Sequence, residues 1–164
     1  MKKIYYLMIV AATLIAACLP KNQPVDTAAA KEAVNAMMDK YLTAWNAQDA
    51  NLFDTFLADD GLYIGTDPSE FWNKDTLKAV IIKQFADTTM KYNYVIDKRE
   101  IKVAPDGNSA IVVEHFTVNA ISPKLIFRNI TRVAKKGEDW KIDFASWNFI
   151  FKNEDLGKII MALE

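Results

Sequence analysis

From Thr27 onward the apolar residues Ala30, Ala33, Val34, Met37, Met38, Tyr41, Leu42 and Trp45 recur at steps of three and four. That spacing is one face of an amphipathic helix, and Asp26 or Thr27 is placed to cap it. "NAQD" interrupts the pattern, and a second short helix is expected from about Ala50 to Leu57. "LYIG" reads as a short strand and "TDPSEFWN" as a turn-rich loop. Asn73 or Asp75 can then cap a third helix carrying Leu77, Val80, Ile81, Gln84 and Phe85. After Met90 the apolar period changes to two. Four β-rich runs follow, roughly 92–104, 109–121, 124–135 and 139–151, separated by "PDGN", "SP" and "KKGED". Connections this short favour antiparallel neighbours. Helices first and a meander after them predict an α+β fold, with helices packed on one face of a curved sheet. Residues 152–164 read as a weak helix or a tail.

The first seventeen residues differ from the rest. "MKK" is a cationic start, and Ile4 to Ala17 is an apolar run broken only by Tyr and Thr. It is shorter than the roughly 20 residues a spanning helix needs and fits a secretory signal peptide over 1–17. Ile15-Ala16-Ala17-Cys18 resembles the bacterial lipobox. That resemblance implies cleavage before Cys18, lipid on its thiol and an acylated new N-terminus, together enough for stable anchoring. Residues 18–26 then form the lipidated Cys18 and a tether, the eight residues after the cysteine spanning at most roughly 26 Å. Leu19 after the cysteine, and the absence of an early acidic run, favour by analogy the periplasmic side of a bacterial outer membrane.

Length and composition change this picture little. With 164 residues, 51% hydrophobic and 25% charged, the chain suits one globular domain, placed here over 27–151. A net charge of −1 with mixed signs offers no basic field for nucleic acid. One Cys and one His rule out an internal disulfide and a structural zinc site built on about four N or S ligands. No cofactor is expected.

"KYLTAWNAQDANLFDTFLADDGLYIGTDPSEFW" resembles the opening of SnoaL-like domains in the nuclear transport factor 2-like superfamily. "RVAKKGEDWKIDFASWNF" resembles that family's last hairpin, including the Trp after the tight turn. The match covers about residues 28 to 151. It implies a cone: three N-terminal helices closing over a strongly curved, mainly antiparallel sheet, with a pocket at the open end. The same cone hosts isomerases, cyclases, dehydratases, transport factors and binding modules, so fold alone assigns no activity.

Strand phase selects candidate pocket residues. If Ile142 faces the helices, so do Phe144, Ser146 and Asn148. The matching sets are Leu125, Phe127, Asn129, Thr131 and Val133 on one neighbouring run, and Ile111, Val113, His115, Thr117 and Asn119 on the next. The candidate ligand-binding set is therefore His115, Phe127, Asn129, Thr131, Phe144, Ser146 and Asn148, with Tyr41, Trp45, Tyr63 and Trp72 adding aromatic surface from the helical side. An apolar wall with a few convergent polar groups suits a small apolar or amphipathic ligand. Each member also has a plainer reading: Tyr41 and Trp45 as core, His115 as a hydrogen-bonded interior group, Asn129 and Asn148 satisfying one another.

The resemblance also supplies a test for catalysis. The family's ketosteroid isomerase branch needs an oxyanion-binding Tyr, a base carboxylate and a protonated second carboxyl. Tyr41 matches the first; the other two positions hold Gly65 and Thr131. A cyclase-like or hydratase-like reaction would instead use His115, the sole imidazole, but no carboxylate is assured of sharing its face. Binding without turnover is the favoured expectation. The opposite phase carries Phe116, Ile130, Trp147 and Phe149 among other large apolar groups, more than a solvated face needs. Family members often pair through this face, so a homodimer is expected there. A bulge near "DKRE" would reassign neighbouring strands.

Overall fold

The computed structural model describes residues 26–89 and 91–164. The expected signal peptide, Cys18 and nearly all of the tether lie outside the described residues. Helix α1 (Thr27–Asn46) begins where Asp26 accepts the amides of Ala28 and Ala29, both at 3.0 Å. It buries Val34, Met37, Met38, Tyr41 and Trp45. The helix stops at Ala47, and the next residue, Gln48, turns the chain with a φ of 56°. Helix α2 (Leu52–Phe56) is a single buried turn that runs directly into β1 (Leu57–Ile64). A two-residue strand β2 (Phe71–Trp72) precedes α3 (Lys74–Phe85), whose Asn73 cap accepts Thr76 N at 2.9 Å. The meander follows as β3 (Tyr94–Val103), β4 (Ser109–Val118), β5 (Ser122–Lys136) and β6 (Asp139–Ile150). A 3₁₀ turn (Asn153–Asp155) leads to α4 (Leu156–Leu163).

The fold is α+β: the described residues form four helices and a mixed six-stranded sheet in the order β2-β1-β6-β5-β4-β3, and α4 buries none of its residues. The expected three N-terminal helices give way to a different order. Among the described residues two helices precede the first strand, and the third follows β2. The sheet is mainly antiparallel, as expected, with β1 running parallel to β6. Parallel pairing needs a long crossover, which α3 and the meander supply.

Bulges decide which side chains face the helices. The registers shift at Asp97 in β3, between Ser122 and Phe127 in β5, and at Asp143 in β6. The single-residue shifts at Asp97 and Asp143 bend their strands and reverse the phase beyond them. The β1–β6 pair also slips between Leu57 and Leu62. There the buried Tyr63 hydroxyl lies 3.0 Å from Ala58 O and 2.9 Å from Ile142 O, bridging the two strands across the gap. Gly61 makes room for it, since a Cβ at that position would come within 2.2 Å of the hydroxyl.

Candidate functional site

The concave face of the sheet carries Ala110, Val112, Glu114, Phe116 and Val118 from β4, and Phe127, Asn129, Thr131 and Val133 from β5. On β6, Ile142 faces inward. The Asp143 bulge then brings Ala145, Trp147 and Phe149 to that side, opposite Thr131, Asn129 and Phe127. Helix α1 lies across the near end of this face. Asn46 pins it there by accepting Tyr94 N at 2.8 Å and donating to Tyr94 O at 3.1 Å, an amide standing in for a strand neighbour. This double bond holds Trp45 against Tyr94, their rings edge to face with centroids 5.5 Å apart.

Between helices and sheet lie two neighbouring pockets, an outer and an inner lobe. The outer lobe, about 210 Å³, is walled by residues including Trp72, Leu77, Ile81, Gln84, Val118 and Phe127, with Gly65 and Glu70 also bordering it. The inner lobe, about 30 Å³, reaches Tyr41, Glu114 and Asn129. Trp45, Tyr94, Phe116 and Trp147 border both lobes. Phe116 stacks on Phe127 at 5.2 Å, extending that wall.

The inner lobe reaches buried Glu114, from which a polar cluster runs out to exposed Asn35 and Asp39. Arg99 Nε donates to Glu114 at 2.7 Å, and its Nη1 donates to Asn35 Oδ1 at 3.0 Å and to Asp39 Oδ1 at 2.5 Å. Asn129 Nδ2 donates to Thr131 Oγ1 at 2.8 Å, while Asn129 Oδ1 is buried with no donor facing it. Burial pushes the Glu114 carboxyl above its ordinary range; Arg99 and the Asn129 amide pull the other way. Burial works against the Arg99 charge, and hydrogen bonds to Asp39 and Glu114 outweigh it, so its pKa is raised. Burial also raises the Tyr41 hydroxyl, and pushes Tyr94 up to about 12. Both phenols are therefore neutral donors at any physiological pH. At the mouth, the Glu70 carboxylate folds over Gly65, where a Cβ would meet it at 2.0 Å, and accepts Asp67 N. Among the described residues no group of three or more His, Cys, Asp or Glu is arranged to hold a metal ion.

The expected site residues divide into three groups. Tyr41, Trp45, Trp72, Phe127 and Asn129 border the cavity. Tyr63 and Thr131 are buried but away from it, one bridging β1 to β6 and the other holding Asn129. His115, Phe144, Ser146 and Asn148 correct the expected phase, because they sit on the opposite, convex face. The β4–β5 register pairs His115 with Arg128, whose Nε donates to His115 Nε2 at 3.0 Å. Asn148 donates to Ser146 Oγ at 3.2 Å and not to Asn129. The same correction moves Phe116, Trp147 and Phe149 off the convex face; of the expected pairing residues only Ile130 stays there. Glu114, Tyr94, Phe116 and Trp147 are the cavity residues that strand phase missed. Their signal was faint: both phases of 110–118 are apolar, and a carboxylate usually marks the solvent side. An Arg in the bulged "DKRE" directly across the hairpin was the one clue that Glu114 could be buried.

The family model described as a SnoaL-like domain matches residues 34–145, from the middle of α1 into β6. An NTF2-like protein of unknown function from Pseudomonas putida shares the fold with a TM-score of 0.67 at 14% identity, over 77% of this chain and 91% of that one. An NTF2-like protein from Cytophaga hutchinsonii superimposes with a TM-score of 0.59 at 18% identity, covering 73% and 97%. A protein of unknown function from the DUF3225 family of Pectobacterium atrosepticum gives 0.63 at 18%, covering 81% and 98%. Comparison with curated proteins finds no match.

Proposed function

Because the chain belongs to the SnoaL-like domain family of the NTF2-like superfamily, whose members differ in chemistry more than in shape, we propose a function from the cavity itself: binding of a small apolar or amphipathic molecule without turning it over. One observation carries the reading. An aromatic-walled, partly polar space of about 210 Å³ lies between helices and sheet, beside a smaller, mostly apolar one that Glu114 and Asn129 border, the composition of a ligand site. His115, the acid–base candidate, is on the other side of the sheet, and the inner carboxylate is already engaged by Arg99. Glu70 borders the outer lobe, but no imidazole joins it there to complete an acid–base pair.

Two further elements belong to this proposal. Lipid on Cys18 tethers the domain to a bacterial membrane, in the outer membrane facing the periplasm; the lipobox-like "IAAC" supports this. A second copy pairs on the convex face, where Leu62, Ile111 and Ile126 stand 43%, 40% and 38% exposed between Arg128, Arg132 and Asp143. Apolar groups on a broad sheet face among paired charges suit an interface core with a polar rim.

The direct test is titration of the full-length protein with the neutral apolar fluorophore N-phenyl-1-naphthylamine, read by its emission. Saturable uptake is expected, weakened several-fold by Ile121→Glu, which places a charge on an exposed residue bordering the outer lobe. Unsaturable uptake, or uptake indifferent to that substitution, would refute the cavity reading.

A further inference from the structure

Helix α4 leaves its apolar side uncovered. Leu156, Ile159, Ile160 and Leu163 recur at steps of three and four and form one stripe, with Lys158 opposite. None of the helix is buried, and Leu156, Ile160 and Leu163 stand 57%, 50% and 82% exposed. Eight residues are too few to hold a helix in water without packing. The sheet fixes where this stripe is presented. β6 ends at Ile150 opposite Ile126, at the same pole as the turn between β4 and β5. Tyr92, Tyr94, Val118, Ile121 and Phe127, which line the outer lobe, lie at that pole too. Ile121 and Phe149 are exposed there, and Phe149 meets Phe127 with ring centroids 4.9 Å apart. The five residues 151–155 that join β6 to α4 span at most roughly 17 Å.

Two other covers for the stripe fit poorly. Helix α1 runs antiparallel to β3, with Asn46 on Tyr94 and Asn35 beside Arg99, so Asp26 lies at the opposite pole. That helix is about 30 Å long, whereas the eight residues after Cys18 reach at most roughly 26 Å. A lipid on Cys18 therefore cannot stand the domain mouth-down on its own bilayer. A second copy gains little from α4 either. A helix about 12 Å long and 10 Å across offers far less than the roughly 800 Å² per partner of a stable pair. Resting on the cavity reading above, we propose that α4 is the missing wall of the ligand site. It folds over the outer lobe once a guest fills it, laying Ile160 and Leu163 on the guest and on Ile121 and Phe149 of the rim. Closure over an empty lobe encloses a void and forfeits contacts. Over a filled lobe it buries apolar surface on both sides. The guest thus binds the closed form more tightly and shifts the equilibrium toward it.

The experiment follows amide hydrogen exchange of α4 by mass spectrometry in the full-length protein, with and without saturating N-phenyl-1-naphthylamine. Exchange over 157–163 is expected to slow at least tenfold with the probe. The double variant Ile160→Glu/Leu163→Glu should bind the probe at least fivefold more weakly and unfold, without probe, at the wild-type temperature. Unchanged exchange at saturation overturns the inference, as does full affinity in the double variant or a lowered midpoint, which would make α4 part of the core. Protection that appears without probe as protein concentration rises assigns the stripe to a second copy and overturns it. Protection on adding phosphatidylethanolamine–phosphatidylglycerol vesicles assigns it to a bilayer and does the same. If Ile121→Glu weakens the probe and the α4 variant does not, α4 is no wall and the cavity reading stands. Absence of saturable uptake in the wild type sinks both.

Discussion

Replacing Arg99 by Met removes the single cation that holds Glu114 inside the protein. The guanidinium is 12% exposed and the Glu114 side chain 7%, with 2.7 Å between Nε and Oε1. At that separation the gross attraction is about 6 kcal/mol for an effective dielectric near 20. Desolvation of both charges consumes much of it, so the pair itself contributes little to stability. Breaking it is another matter. A carboxylate left buried without its partner costs about 3–5 kcal/mol, a large share of a domain's total. Asp39→Ala, by contrast, breaks a pair whose acid is 60% exposed and should cost less than about 1 kcal/mol. The sign of the pH dependence follows from Glu114. Its folded pKa is already raised by burial, and without Arg99 it rises further. A raised carboxyl favours folding below the unfolded pKa and loses that contribution as pH climbs through the folded pKa. The Arg99→Met deficit should therefore be larger at about pH 7.5 than at about pH 5. Urea unfolding followed by tryptophan fluorescence at both pH values measures it, and Arg99→Met/Glu114→Gln should recover most of the loss. A deficit under about 1 kcal/mol at the higher pH, or no recovery in the double variant, would refute the account.

Three other outcomes are expected. Ile130→Glu places a charge at the centre of the convex face and should convert a dimer to monomer in sedimentation velocity; Trp147→Ala, on the concave face, should leave the sedimentation coefficient unchanged. Gly61→Ala forces a methyl into the Tyr63 hydroxyl and should cost about 1–3 kcal/mol in thermal unfolding; an unchanged midpoint would mean the β1–β6 bridge is not needed. Cys18→Ala should release the protein from washed membranes into the soluble fraction, and continued sedimentation with membranes would sink the lipid anchor.

The helical spacing of Val34, Met37, Met38, Tyr41 and Trp45 was legible because a period of 3.6 is sustained over about three turns. The four strands of the meander were legible from their turns, where Gly107 and Gly137 adopt φ of 68° and 70°. Strand phase was not. With both faces of β4 and β5 rich in Val, Ile and Phe, nothing in the alternation says which side meets the helices. The Asp143 bulge then reverses β6 partway along, so placing Ile142 correctly misplaces Phe144, Ser146 and Asn148. A bulge near "DKRE" does occur, at Asp97, yet its position follows from pairing with β4 and not from local composition. Half of the candidate site was thus readable from α1 and β5. The carboxylate at its inner end was hidden by the same ambiguity.

The parallel contact between β1 and β6 has a consequence for when the domain can form. Tyr63 and the Ile142 carbonyl it reaches are 79 residues apart, and β1 has no other strand partner than the two residues of β2. Contacts of such long range are slow to form. Until Asp139–Ile150 has been made, β1 and the helices around it have no sheet to close upon. A growing chain therefore stays open through most of its synthesis, and folding waits on its last strand.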